Sequence, residues 1–216
     1  MRLIIKIFSC LFLASGCAHM IAPSGGSKDQ SPPKLIKITN SDYKKILFQF
    51  DEYIELNKWV ENFYISPPLK NSIKKTIDNK ILVIEIKDSL IQNITYNLVL
   101  NNCIKDLNEG NILDSFNYIF SVSNIFDTLS FSGNLYDSYT LKKLENAWVM
   151  LFEKEIPDSL IFKITPNYVA KTNKEGQFHF PNLKNNDYRV FGLTDFDFIY
   201  NEQEKIAFYE KIINAE

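Results

Sequence analysis

From Lys34 onward the chain is written in short segments whose apolar residues recur at every second position. Ile46-Leu47-Phe48-Gln49-Phe50 sets Ile46, Phe48 and Phe50 on one face, and Ile84 and Ile86 flank Glu85 in the same way. Tyr96-Asn97-Leu98-Val99-Leu100 and Phe116 to Val122 repeat the pattern. A period of two puts alternate side chains on opposite faces of a strand, so these segments predict half-buried strands. Asn, Asp, Gly and Pro clusters separate them, as turns separate the strands of a sandwich. A second run begins near Asp127, with Leu129 to Leu135 alternating. Ala147-Trp148-Val149-Met150-Leu151-Phe152 is apolar throughout; it predicts a strand covered on both faces. Tyr168 to Thr172, the turn Asn173-Lys174-Glu175-Gly176 and Gln177 to Phe180 predict a hairpin, with Gly176 supplying a positive φ. No long helical period intervenes, which excludes alternating strand and helix layers. The expected fold class is all-β: two consecutive β-sandwiches behind an N-terminal address.

That address is residues 1–16. Arg2 and Lys6 precede the apolar run Ile7 to Ala14. The run is too short for a membrane span of about 20 residues, but it suits the core of a signal peptide. Leu13-Ala14-Ser15-Gly16-Cys17 resembles the lipobox of bacterial lipoproteins, with Ala14 where the commonest form has Leu. The resemblance implies cleavage after Gly16 and lipid attachment at Cys17. Two or more acyl chains hold a protein stably in a membrane, where one holds only marginally. The alternative is an ordinary secreted protein with Cys17 free. Residues 17–31 read as a flexible tether, because Pro23 to Pro33 has linker chemistry and no apolar period. Ala18-His19-Met20 follow Cys17 in place of an acidic export signal. The expected location is therefore the outer membrane, with either face open.

Composition supports a packed core and restricts the chemistry. Apolar residues make up 45% and aromatic residues 14%, with 17 Phe and 11 Tyr, which favour pleated sheets. Net charge is −2; without Arg2 and Lys6 the chain keeps 22 basic residues against 26 acidic. This balance gives no footprint for nucleic acid. Cys10 falls in the signal segment and Cys17 is the expected lipid site, so Cys103 is left alone as a buried small hydrophobe.

Ordered residues now carry two family resemblances. Ser31-Pro32-Pro33-Lys34-Leu35, Phe48-Gln49-Phe50-Asp51-Glu52, Ile65-Ser66-Pro67-Pro68, Thr95 to Leu100, Ile104 to Asn111 and Phe116 to Phe120 resemble the bacterial Ig-like domains of the SbsA type over about residues 32–123, within an expected domain of residues 32–125. Phe131, Gly133, Leu135 and Asp137, then Ala147, Val149 and Leu151, then Thr172, Gly176, Phe178 and Phe180, with Leu183, Tyr188 and Val190, resemble the carboxypeptidase regulatory-like (transthyretin-like) sandwich over about residues 129–195, within an expected domain of residues 126–216. In that family the module is an accessory domain. With the lipobox, the whole resembles Ig-like lipoproteins of the Bacteroidetes type. Such proteins often continue further, so the second module is expected to be a short or truncated one.

The candidate chemistry is sparse. Asp51-Glu52 and Asp106 to Asn111 place acids and Asn-Gly at strand ends. They are read as turn formers in preference to a cation site or an acid pair. Asp195 and Asp197 copy the first two ligands of a calcium loop, and Asn201 is the third weak metal candidate. Ile199, Tyr200 and Ile206 stand where an oxygen ligand, Gly and Glu belong, so a solvated acidic loop is preferred. Phe196, Phe198 and Tyr200 of that loop are expected to pack on the second sandwich rather than display a sugar-stacking surface. His179 should lie opposite Phe178 and Phe180, beside Gln177. No Ser-His-Asp or Cys-His arrangement, phosphate loop or dinucleotide motif can be built. The expectation is a non-catalytic envelope protein without cofactor, bound to the membrane by its lipid, with a structural, adhesion or partner-binding role toward a protein or glycan; the alternative is a carbohydrate- or peptidoglycan-binding accessory module.

Overall fold

A computed structural model describes residues 25–161, 163–195 and 197–215. The signal segment, Cys17, His19 and Phe196 lie outside the described residues. Residues 25–31 are exposed and without regular structure. Ser31–Glu216 forms one compact unit.

Its first half holds β1 (Leu35–Asn40), β2 (Lys45–Phe50), β3 (Ile54–Leu56), the helical turn α1 (Trp59–Asn62), β4 (Tyr64–Ser66), β5 (Lys74–Asp78), β6 (Ile81–Glu85), β7 (Thr95–Val99), β8 (Ile104–Asp106) and β9 (Asn117–Ser121). The order β1-β2-β6-β5 makes one antiparallel sheet and β4-β7-β9 a second; β3 pairs with β8. Ile46, Phe48 and Phe50 of β2 and Leu82, Ile84 and Ile86 from the β6 segment are buried against Tyr96, Leu98 and Phe120 of the opposite sheet. Phe48 meets Phe116 and Tyr118 edge-on, at 5.3 and 5.4 Å between centroids. The two-residue periodicity of the sequence thus becomes the two inner faces of a sandwich. Cys103 is fully buried among these apolar residues, and burial pushes its thiol up to about 12.

The second half holds β10 (Leu129–Asn134), β11 (Trp148–Glu153), β12 (Tyr168–Lys171), β13 (Gln177–Leu183), β14 (Asp187–Leu193), β15 (Ile206–Phe208) and β16 (Ile213–Asn214). β12-β11-β14-β15 forms one sheet, with β16 also paired to β14; β10 and β13 form the other. β11 is central, as its unbroken apolar run requires. Val149 and Leu151 enter the core between the two sheets, while Trp148, Met150 and Phe152 enter a separate cluster on the other side.

The expected hairpin of β12 and β13 is not one. β12 pairs with β11, and β13 pairs with β10. The turn has the expected chemistry: Gly176 takes φ +69°, and Asn173 Oδ1 accepts the backbone N–H groups of Glu175 and Gln177. What differs is the destination of the strands. Phe178 and Phe180 share a core with Tyr168 and Ala170. The chain therefore arches over that core from one sheet to the other, and local pattern cannot distinguish an arch from a hairpin.

Candidate functional site

Two of the acids at strand ends, Asp106 and Asp51, accept backbone N–H groups. Asp106 ends β8 with its side chain fully buried. Its Oδ1 accepts the N–H groups of Glu109 (2.5 Å) and Gly110 (2.9 Å), and its Oδ2 accepts that of Asn111 (2.7 Å). Burial alone would push this carboxyl up. The N–H donors of residues 108–111 outweigh it and leave it below the usual carboxylate range. Asp51 accepts the backbone N–H of Lys34 at 2.8 Å. Among the described residues, Glu52, Asp106 and Glu109 do bring a carboxylate oxygen each within 4.8 Å of one another. The bonds of Asp106 assign it to closing the 107–111 loop, as expected of a turn former.

The 195–204 loop is also self-bonded. Asp197 Oδ1 accepts the N–H of Ile199 at 2.7 Å, and Asn201 Oδ1 accepts that of Gln203 at 3.1 Å. The Asn201 N–H bonds Glu204 and draws its carboxyl down. Desolvation and the neighbouring Asp195 and Asp197 push it up, and the net direction is up. Asp197 and Asn201 thus cap their own backbone, while Asp195 bonds the Glu204 side chain. Phe198 and Tyr200 pack on the outer cluster, with Phe198 edge-on to Trp148 at 5.4 Å.

The polar groups that sequence reading missed lie where the two sandwiches meet. Thr95, Asn97 and Val99 form the outer face of β7, yet all are buried. Ser66 Oγ accepts the backbone N–H of Val169 at 3.0 Å, across 103 residues of sequence. Tyr64 meets Trp148 edge-on at 5.4 Å. Lys171 Nζ lies 4.3 Å above the Trp148 ring and donates to the Glu61 carbonyl at 2.5 Å. Burial pushes the Tyr64 hydroxyl up to about 12, despite its bond to the Lys171 backbone.

Beside this junction a cleft of about 570 Å3 opens between the sandwiches. Asn97 and Asn117 line it from the first, and Ser132, Gln177 and His179 from the second. Ser132 Oγ and His179 Nδ1 are 2.7 Å apart, the strands having placed them opposite each other. A second hollow of about 540 Å3, with Phe131, Phe191 and Phe208 in its wall, opens at the edge of the second sandwich. No local signal in the sequence marks the first cleft, because Asn97 and Asn117 occupy positions that period two assigns to solvent.

Comparison with known proteins finds a family match over the first sandwich. Residues 22–122 match the family model of the bacterial Ig-like domain. The match takes in β1 to β9 and ends before β10. No curated protein is significantly similar to the chain in sequence. Two solved structures of BcpA, the major pilin subunit of Bacillus cereus, are similar to it at 9% and 10% identity. The first covers 82% of this chain and 61% of the pilin, with a TM-score of 0.25; the second, a point variant, covers 79% and 60%, with a TM-score of 0.24. The chain thus spans about 60% of the length of these pilin subunits.

Proposed function

We propose that this chain is a non-catalytic envelope lipoprotein, anchored by lipid at Cys17, that presents two coupled β-sandwiches for adhesion, scaffolding or partner binding. In this reading the first is an Ig-like domain of the SbsA type and the second a carboxypeptidase regulatory-like module. The lipobox and the paired modules point to the outer membrane of a Bacteroidetes-type cell. The observation that carries the reading is where the polar groups go. Asp106 and Asp197 hold their own loops, Asp51 pins the chain at Lys34 ahead of β1, and Ser66 and Lys171 tie one sandwich to the other. Such an arrangement favours presenting a surface over performing a reaction.

No helix among the described residues is long and apolar enough to cross a membrane, so the anchoring proposal rests on Cys17. Expressed in a bacterium and labelled with a fatty acid, the full chain should carry label and sediment with membranes. Cys17→Ala should carry none and be released. A Cys17→Ala variant that stays membrane-bound would remove the anchor from the proposal.

A further inference from the structure

The cleft between the sandwiches is unused by the display reading, and its chemistry is specific. At about 570 Å3 it falls in the size range of small-ligand sites. Six primary amides line it: Asn97, Asn101 and Asn117 from the first sandwich, and Asn134, Asn173 and Gln177 from the second. No carboxylate lines it among the described residues, and its lysine, Lys171, is already bonded to the Glu61 carbonyl. Asn101 and Asn173 fix the frame, their oxygens accepting the N–H groups of Phe116 and of Glu175 and Gln177. Asn117 and Asn134 are exposed, and their side chains have no hydrogen-bond partner among the described residues.

Asn97 is the informative member. Only 6% exposed, it sits on β7 in the cleft wall, and its Oδ1 has no hydrogen-bond partner among the described residues. A buried acceptor left in this state weakens the fold, and such groups call for an explanation, of which a ligand is one.

We propose that this amide-lined cleft binds a neutral, hydroxyl-rich chain, an oligosaccharide segment. A primary amide offers donors and an acceptor on one plane, and adjacent sugar hydroxyls answer with acceptors and donors. The single engaged cation gives an anionic ligand little to pair with. An added peptide strand requires a row of unpaired backbone groups, whereas the amides here project from strands and loops as side chains. On the same wall a Cβ at Gly133 would lie 2.6 Å from the Phe178 ring, so a larger residue there would displace that ring. The inference rests on the proposed function only in that the ligand is held and not converted.

The test uses the full chain in detergent on an array of neutral glycans, followed by calorimetry with the strongest-binding oligosaccharide. Asn117→Ala and Gln177→Ala should each weaken binding roughly tenfold at unchanged melting temperature. Asn97→Leu should abolish binding and leave the melting temperature equal or higher, because it removes a polar atom without a partner. A structural role for Asn97 would instead lower it. If Asn97→Leu does not fold, the two exposed variants decide. Absence of any bound glycan at millimolar concentration would overturn the inference, as would binding indifferent to all three variants. So would a peptide ligand that the same variants lose. These failures leave the Cys17 anchor untouched, whereas a bound glycan returned cleaved by mass spectrometry keeps the cleft inference and removes the non-catalytic reading.

Discussion

Asp106 and Asp137 show how single acids hold this fold. Asp137 Oδ1 accepts the N–H of Thr140 at 2.7 Å and its hydroxyl at 2.9 Å, and Lys205 adds charge from 3.3 Å. The Thr140 bonds, backed by Lys205, hold its carboxyl down at about 2. Asp106 lies below its ordinary range because four backbone donors outweigh its burial. A folded pKa below the unfolded value means that protonation favours the unfolded chain. The stabilisation is therefore complete above the ordinary carboxylate pKa near 4 and is lost as pH falls through the folded values. Thermal melts should be level from about pH 7 to 5 and fall between about 4 and 2. Asp106→Asn should lower the melting temperature at neutral pH by roughly 5 °C, because a donor replaces an acceptor facing backbone N–H groups. Asp106→Asn with Asp137→Asn should also flatten the acid limb. An acid limb unchanged in the double variant would show that other carboxylates set it. The turn role of Asp106 was readable from its place before Asn108-Glu109-Gly110. The approach of Glu52 was not, since 54 positions of chain separate the two and only β3–β8 pairing joins them.

At the scale of elements, β11 is the strand most completely specified by its own residues. Its apolar run announces burial on both faces, and the structure divides that run between two clusters. Leu151→Ala and Met150→Ala, on opposite faces, should each cost about 2–5 kcal/mol in urea unfolding. A strand with one wet face would show the loss at only one of them. Gly176 is a second local determinant: φ is +69° and a Cβ would lie 2.9 Å from the Leu135 carbonyl oxygen. Gly176→Ala should therefore cost about 1 kcal/mol or more by the same measurement. Strand positions and inward faces were legible because period two is a local property. The partner of β13 was not, because a hairpin and an arch share the same turn residues and differ only in which sheet the second strand joins. For the same reason Asn97 reads as a solvent-facing residue until a second sandwich is laid over it.

For the whole molecule, the question is whether the two sandwiches unfold together. Ser66 gives the buried Val169 N–H its acceptor, and the Tyr64 ring packs on Trp148 while its hydroxyl bonds the Lys171 backbone. Removing the Ser66 hydroxyl leaves a buried donor unpaired, a loss of about 1–3 kcal/mol. Removing the Tyr64 ring opens a gap beside Trp148. Each half has its own apolar core, so the coupling resides in these junction contacts and in the shared outer face of β7. In a Trp59→Phe background, Trp148 is the remaining indole, and its fluorescence follows the second sandwich and the junction. Its thermal transition should coincide with that of the whole backbone followed by far-ultraviolet circular dichroism, as for one cooperative unit. Adding Tyr64→Ala and Ser66→Ala should separate the two curves, because each core then melts at its own stability. Curves already apart before those substitutions would mean that the junction carries too little energy to make the sandwiches one body. The cleft would then have walls free to move, and the binding expected of it should weaken accordingly, since a site assembled from two moving parts gives up affinity to bring them together.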